Sequence, residues 1–319
     1  MILCLNANAA IDKTVTVPAF RLGRIHRPTT VIALPGGKGC NVARALQQLG
    51  AKPVVAGWVG GCAGQFIAAG LHREGIATDF TPTDVESRTC LSILDEATGV
   101  MTEIYENGAP LPPDTVTALV DHFQAIVGRF AAVTLSGSLP PGAPPDFYAT
   151  LIEIAHAANV PTYLDSSKEA LRDGVAARPF LIKPNQAEIG ALTARPLHSL
   201  ADYAAAAADI AARYETIVLL SLGQDGAIAA GNGELLRVYT PPVAAQSAVG
   251  SGDCLLAGLA YGFTTGLPLA EAVRCGVAAG TANTLTLGAG RFALTDFHSI
   301  LAQVVVREEI GDNDAAGSR

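Results

Sequence analysis

Six short apolar runs, MILCLNA, PVVAGWVG, AAVTLSG, PTYLDSS, PFLIKPN and ETIVLLSLG, each give way to a loop rich in Gly, Pro, Asn or Ser, and usually then to a segment with helical spacing of apolar residues. Strands that are buried on both faces and joined by crossover helices pair in parallel. The order therefore predicts an α/β fold, a mostly parallel sheet flanked by helices. With 319 residues, 50% of them hydrophobic and 16% charged, the chain has enough apolar material to cover both faces of such a sheet. In open sheets of this kind ligands gather beyond the carboxyl ends of the strands, so the loops that follow the strands are where chemistry is expected.

Two stretches interrupt the order. Residues 13–34 (KTVTVPAFRLGRIHRPTTVIAL) and 86–108 (ESRTCLSILDEATGVMTEIYENG) are rich in β-branched residues and in alternation, and the second holds a turn from Asp95 to Gly99. They predict the strands of a small inserted β-sheet. With no helix to cover it, such a sheet is expected to serve as a lid over a ligand, as a surface that pairs two copies, or as both. The expected organisation is one α/β domain over 1–305, with the two lid segments inserted, and a polar C-terminal tail over 306–319.

Charge and cysteine usage exclude several classes. The net charge is −8 and there is no basic run, so the electrostatic footprint of a nucleic-acid binder is missing. Small anionic ligands stay open wherever local cations collect. The six cysteines stand singly at 4, 40, 62, 90, 254 and 275, without a C-x-x-C pair or a zinc-type spacing with histidine, which fits reduced thiols. No stretch reaches the roughly 18 unbroken apolar residues of a membrane span, and the opening MILCLNANAAIDKT carries too short an apolar run for a signal segment. The expectation is a soluble, cytoplasmic protein with no nucleic-acid or membrane partner.

Several loops read in two ways. In PPVAAQSAVGSGDCLLAGLAYGF (241–263) the step Gly250-Ser251-Gly252 leads into Asp253, in the first turn of a helix carrying Leu255, Leu256, Leu259 and Ala260. Either Asp253 caps the helix and complements its dipole, or the glycines bare helix amides to a phosphate while Asp253 accepts a proton beside it. Gly36-Gly37-Lys38-Gly39, followed by Asn41, runs into a helix striped by Val42, Ala45, Leu46 and Leu49. It is a plain joint, or a place where a ligand touches backbone amides and Asn41 bonds a hydroxyl. It is not a Walker loop, because Ile32 stands where the first glycine would be, and no G-x-G-x-x-G run occurs. Asp12, beyond the first strand, is a solvated turn acid or an acceptor for two vicinal hydroxyls. Arg88 opens a lid strand as an exposed edge charge or as a fork for a phosphate.

Three further loops leave strands. SGSLPPG (136–142) offers hydroxyls and amides. In IKPNQAE (182–188), Asn185 and Glu188 either form a capping box or reach a hard cation directly or through its waters. SLGQDG (221–226) reads as the turn of a hairpin.

Taken in order and spacing, N-x-A-I-D, GGKG-x-N-VARAL, SRT, SGSLPPG, IKPN-x-x-E, SLG-x-DG and G-x-GD resemble the PfkB (ribokinase-like) carbohydrate kinase family over about residues 1–290. More narrowly they resemble its phosphohexose branch, which holds 1-phosphofructokinase, tagatose-6-phosphate kinase and the minor 6-phosphofructokinase. The resemblance implies an ATP- and magnesium-dependent kinase acting on a hydroxyl of a ketohexose phosphate. Asp253 would be the catalytic base, and the amides of Gly250, Ser251 and Gly252 the anion hole. Asp12, Gly37, Lys38 and Asn41 would hold the sugar, and Arg88 with Ser136 or Ser138 its existing phosphate. Arg24, His26 and Arg27 fall where this branch places extra phosphate contacts, shared across a homodimer. Lys183, Asn185, Ser221, Gly223 and Gly226 would border ATP, while Asn185 and Glu188 organise its magnesium, Glu188 through water.

The favoured substrate is fructose 1-phosphate, giving fructose 1,6-bisphosphate, with tagatose 6-phosphate and fructose 6-phosphate next. A pentose or nucleoside kinase ranks behind, because its substrate brings no phosphate for Arg88. A non-catalytic sugar-phosphate sensor would have lost the base or the glycines, and both are present. Four positions depart from the family pattern: Ala9 for a proline, Cys40 for an aliphatic residue, Ser251 for an alanine, and Tyr105 in TEIYENG where the family reads TEINE. The last is expected to alter the sugar pocket.

Overall fold

The computed structural model describes residues 1–193 and 195–308. From the N-terminus, β1 (Ile2–Asn6) is followed by β2 (Ala10–Val17), β3 (Thr30–Gly36), α1 (Lys38–Gln48), β4 (Pro53–Gly60), α2 (Gly61–Arg73), β5 (Ala77–Thr83), β6 (Arg88–Asp95), β7 (Met101–Tyr105) and α3 (Pro113–Ile126). Then come β8 (Ala132–Ser136), α4 (Phe147–Ala157), β9 (Thr162–Asp165), α5 (Lys168–Ala176), β10 (Leu181–Ile182), α6 (Gln186–Thr193) and α7 (Leu200–Tyr214). The chain continues through β11 (Ile217–Ser221), β12 (Ala227–Gly231), β13 (Glu234–Tyr239), α8 (Ser251–Thr264), α9 (Leu269–Thr284), α10 (Leu294–Leu301) and β14 (Val305–Arg307).

A ten-stranded sheet runs in the order β14-β13-β12-β11-β10-β9-β8-β1-β4-β5. From β11 to β5 every pairing is parallel, and the hairpin strands β12, β13 and β14 extend one side in antiparallel fashion. The expected mostly parallel sheet is present. Strand alternation sends side chains to two cores: Ile2 and Cys4 of β1 pack with α1, α2, α8, α9 and α10, while Leu3 and Leu5 pack on the opposite face with α3, α4, α5 and α7. Helices α8 and α9 lie close enough that a Cβ on Gly258 would come within 2.5 Å of the Cys275 carbonyl oxygen. Among the described residues, no helix is long and apolar enough to cross a membrane.

The inserted sheet has the order β3-β2-β6-β7, with β2 and β6 parallel and both outer pairs antiparallel. Its limits are wider than 13–34: the alternating pattern begins at Ala10 and ends at Gly36. Asp12 therefore stands inside strand β2 and not in a loop beyond β1, since only three residues separate the two strands. Register aligns Asp12 with Cys90 and Cys90 with Tyr105 in one row across this sheet. At the other end, β14 carries the main sheet two residues past the boundary expected at 305, because its pairing with β13 continues to Arg307. Residues 309–319 of the expected tail lie outside the described residues.

Candidate active site

Parallel strands leave their carboxyl ends on one side of the sheet, and there the loops after β1, β8 and β9 meet the underside of the small sheet. Between them lies a cavity of about 400 Å³. Its walls bring together Asn6, Asn8, Gly37, Lys38, Asn41, Ser136, Ser138, Ser166, Glu188, Gly250 and Asp253, with Asp12, Arg88, Cys90 and Tyr105 from the lid.

Asp253 enters from the first turn of α8. Gly250 precedes that helix at φ +83°, a conformation costly for any side chain, and a Cβ there would press within 2.6 Å of the Ala289 Cα. The carboxyl of Asp253 is 5% exposed and accepts a 2.8 Å hydrogen bond from Asn41 Nδ2. Burial pushes its pKa up to about 6; Lys38, the Asn41 hydrogen bond and Lys183 pull against that shift, and the neighbouring Asp165 adds to it. The amides of Ser251 and Asp253 turn back onto the carbonyls of Ala248 and Gly250, at 3.2 and 3.1 Å. The Gly250 and Gly252 amides find no such protein acceptor among the described residues. Of the three amides expected to form an anion hole, the Ser251 amide is thus the one already engaged.

Asp165 ends β9 and holds two lysines, Lys38 Nζ at 3.1 Å and Lys183 Nζ at 3.3 Å. It is 1% exposed; burial opposes its ionisation, but the charges of Lys183 and Lys38 and their hydrogen bonds hold its carboxyl below the usual range. Lys38 gains in turn: burial works against its charge, yet Asp165 and Asp253 raise its pKa. A Cβ on Gly252 would lie 3.5 Å from Lys183 Nζ, so one ammonium faces the opening turn of α8. Together the helix start and the two lysines make a positive recess beside a carboxyl with a near-neutral pKa.

Arg88 occupies the lid side. Its Nε donates to Asn8 O at 3.2 Å and its Nη1 to Glu106 O at 2.8 Å, both neutral acceptors. No carboxylate forms a salt bridge with it among the described residues. Ser138 Oγ accepts from Asn8 Nδ2 at 3.5 Å, and the buried Ser136 Oγ has no hydrogen-bond partner among the described residues. Asp12 stands where a Cβ on Gly36 would collide with its carboxyl, at 2.2 Å from Cγ. Burial raises the pKa of Asp12 against the Gly37 amide hydrogen bond and the charges of Arg44 and Arg88.

Not every expected residue comes here. Asn185 and Glu188 form the capping box of α6, with both bonds at 2.9 Å, although Glu188 also lines the cavity. Ser221, Gly223 and Gly226 lie at the β11–β12 hairpin and do not line this cavity. Arg24, His26 and Arg27 sit in the exposed loop between β2 and β3, away from it. Asn41, expected to hold a sugar, has its Oδ1 taken by Arg44 and one Nδ2 hydrogen by Asp253. Asp165 and Arg44 were not foreseen; the signal for Asp165 was an acid at the carboxyl end of the PTYLD strand.

A model of the pfkB family of carbohydrate kinases matches residues 5–296. The chain belongs to this family. The structure superposes on phosphofructokinase-2 from Escherichia coli in complex with potassium with a TM-score of 0.89, at 31% identity over 95% of this chain and 98% of that one. The same Escherichia coli enzyme in complex with fructose-6-phosphate superposes at 0.86, with 31% identity over 95% and 98%, and its tetrameric inhibited form at 0.87. A Thermotoga maritima protein described as a possible 1-phosphofructokinase shares the fold at 0.88, with 24% identity over 97% of this chain and 100% of that one. The chain is thus a phosphofructokinase-like sugar kinase, a phosphotransferase with an alcohol acceptor, of an ATP-dependent family.

Proposed function

We propose that this kinase phosphorylates a fructose monophosphate to fructose 1,6-bisphosphate, with Asp253 as the general base. The observation that carries the reading is the buried Asp253 carboxyl at the start of α8, beside a recess holding Lys38 and Lys183. Its carboxylate accepts the proton of the sugar hydroxyl, whose oxygen bonds to the γ-phosphorus of ATP. The bond from that phosphorus to the oxygen bridging to ADP breaks, and ADP leaves with the electron pair. The free amides of Gly250 and Gly252, with Lys183, stabilise charge on the transferred group. Asp12 and the second Nδ2 hydrogen of Asn41 orient the sugar, and Arg88 with Ser136 or Ser138 takes its existing phosphate.

Magnesium, when bound, neutralises charge on the nucleotide phosphates. Asn185 and Glu188 would hold it, Glu188 through water, its Oε2 already accepting from the Asn185 amide. The ATP border is assigned to Lys183, Asn185, Ser221, Gly223 and Gly226.

Fructose 1-phosphate is the first substrate proposed. Fructose 6-phosphate is the second, favoured by the 31% identical relative whose structure holds that sugar phosphate. The test is incubation with ATP, magnesium and either sugar, followed by phosphorus NMR. The expected products are ADP and one bisphosphate, and recovery of both sugars unchanged would refute the reading.

Because the base must be ionised, activity is expected to fall as pH drops through the raised pKa of Asp253. The acid limb of the kcat/KM profile should lie near pH 6, where an ordinary aspartate would place it near 4. A limb at the lower value would remove Asp253 from the proton transfer.

The lid is also proposed to pair two subunits. Its edge strands expose Val31 and Ile32 on β3 and Met101 and Ile104 on β7, apolar side chains that a monomer leaves in water. Pairing would bring Arg24 and Arg27 toward a neighbouring site. Light scattering during chromatography should give the mass of at least two chains, and a strictly monomeric mass at working concentration would count against the pairing.

A further inference from the structure

Behind Asp253 runs a line of hydrogen bonds that the phosphoryl-transfer reading does not itself use. Asn41 Nδ2 donates to Asp253 Oδ2 at 2.8 Å, and Asn41 Oδ1 accepts from Arg44 Nη1 at 3.2 Å. Arg44 is 5% exposed. Its guanidinium is gripped from two other elements: Nε and Nη2 donate to Glu74 Oε2 and Oε1 at 2.6 and 3.2 Å, and Nη2 also donates to the carbonyl of Pro35 in β3. Glu74, at the end of α2, is itself fixed by Arg291 at 3.6 Å and by Gln47, which donates to the Glu74 carbonyl at 3.1 Å.

We propose that Arg44 is a positioning residue, which locks the Asn41 carboxamide in the orientation that donates to Asp253 and so aims the base. The inference rests on the assignment of Asp253 as that base. The reason lies in donor and acceptor identity. An arginine only donates and a carboxylate only accepts, so an amide between them fits one way round. With its oxygen held by Arg44, Asn41 cannot turn to accept a proton from a neutral Asp253 carboxyl. The ionised form accepts a stronger, charge-assisted hydrogen bond from Asn41 than the protonated form would. Lysine cannot substitute, since one ammonium does not span Glu74, Pro35 and Asn41 with the fixed fork of a guanidinium. The other charged groups facing Asp253 are Lys38 from α1, Asp165 from β9 and Lys183 after β10, and none touches Arg44.

A purely structural role for Arg44, as an ion pair tying α1 to α2, predicts a different outcome in the same variants. Removing both members of the pair, in Arg44→Met with Glu74→Gln, avoids leaving one buried charge alone. Positioning predicts that kcat falls by roughly 10- to 100-fold with KM for either substrate changed less than about 3-fold. It predicts that the acid limb of kcat moves to higher pH, that Arg44→Lys does not rescue, and that the substitutions cause no further loss in an Asn41→Leu background. The carboxyl titration of Asp253, followed by carbon NMR on aspartate-labelled protein, should move up in the double variant and, by less, in Glu74→Gln alone. Glu74→Gln keeps shape and one acceptor oxygen, and serves where the double variant does not fold. Lower thermal stability with unchanged kcat and unchanged titration overturns the proposal, as does an equal loss in the Asn41→Leu background. Wild-type protein that turns over no sugar would defeat the base assignment, and the carboxyl titration then decides the positioning by itself.

Discussion

Asp253→Asn is expected to lower turnover by roughly 10²- to 10⁴-fold while ATP still binds. The substitution keeps the shape and the hydrogen bond from Asn41, and removes the proton acceptor. Stability separates this role from helix capping. The folded-state pKa of Asp253 lies above its unfolded value, so below the unfolded pKa the carboxyl is neutral in both states. Above about pH 6 the folded protein bears the cost of a buried charge. Removing that charge should stabilise the protein above pH 6, by about 3 kcal/mol on a shift of this size, and have little effect near pH 4. Losing a carboxylate that only complements the helix dipole would instead destabilise it by about 0.3 to 1 kcal/mol. Thermal unfolding at the two pH values, together with initial rates, is the check. Near-normal turnover with lower stability would reduce Asp253 to a charge that complements the dipole of α8, whose N-cap is Gly250.

Arg88→Ala is expected to weaken the sugar phosphate by about 30-fold or more and to leave ATP affinity nearly unchanged. The magnitude follows from removing one partner of a shielded charge pair, about 2 to 5 kcal/mol. Arg88 donates to the carbonyls of Asn8 and Glu106 and forms no salt bridge among the described residues, which leaves its charge open to a phosphate. An exposed arginine would cost far less, under about 1 kcal/mol. The loss should appear with phosphorylated sugars and be small with free fructose. An equal loss for both would assign Arg88 to holding the lid strands together.

The main sheet was legible because each buried parallel strand is an apolar run closed by turn residues, and a carboxyl-end loop carries its own glycines. Asp12 was misplaced because the alternation of AIDKTVTV starts within three residues of β1, which hides the strand boundary. Asp165 was missed because its meaning comes from Lys38, 127 residues away, and only the fold unites them. Arg44 lies off the apolar stripe of Val42, Ala45, Leu46 and Leu49 and so reads as solvated. It is buried because β3 and the end of α2 close over that side of α1. The lid arginines carry the converse difficulty: Arg24 and Arg27 are exposed in one chain, and their proposed work needs a second copy.

The assignment as a ketohexose-phosphate kinase is tested most directly by one set of rates with wild-type protein, ATP and magnesium: kcat/KM on fructose 1-phosphate, fructose 6-phosphate, tagatose 6-phosphate, free fructose and ribose. A ketohexose phosphate should exceed the free sugars by at least about 100-fold, the worth of one shielded arginine–phosphate contact and its neighbouring hydroxyls. Preference for free fructose or ribose, or turnover of none of the five, would contradict it.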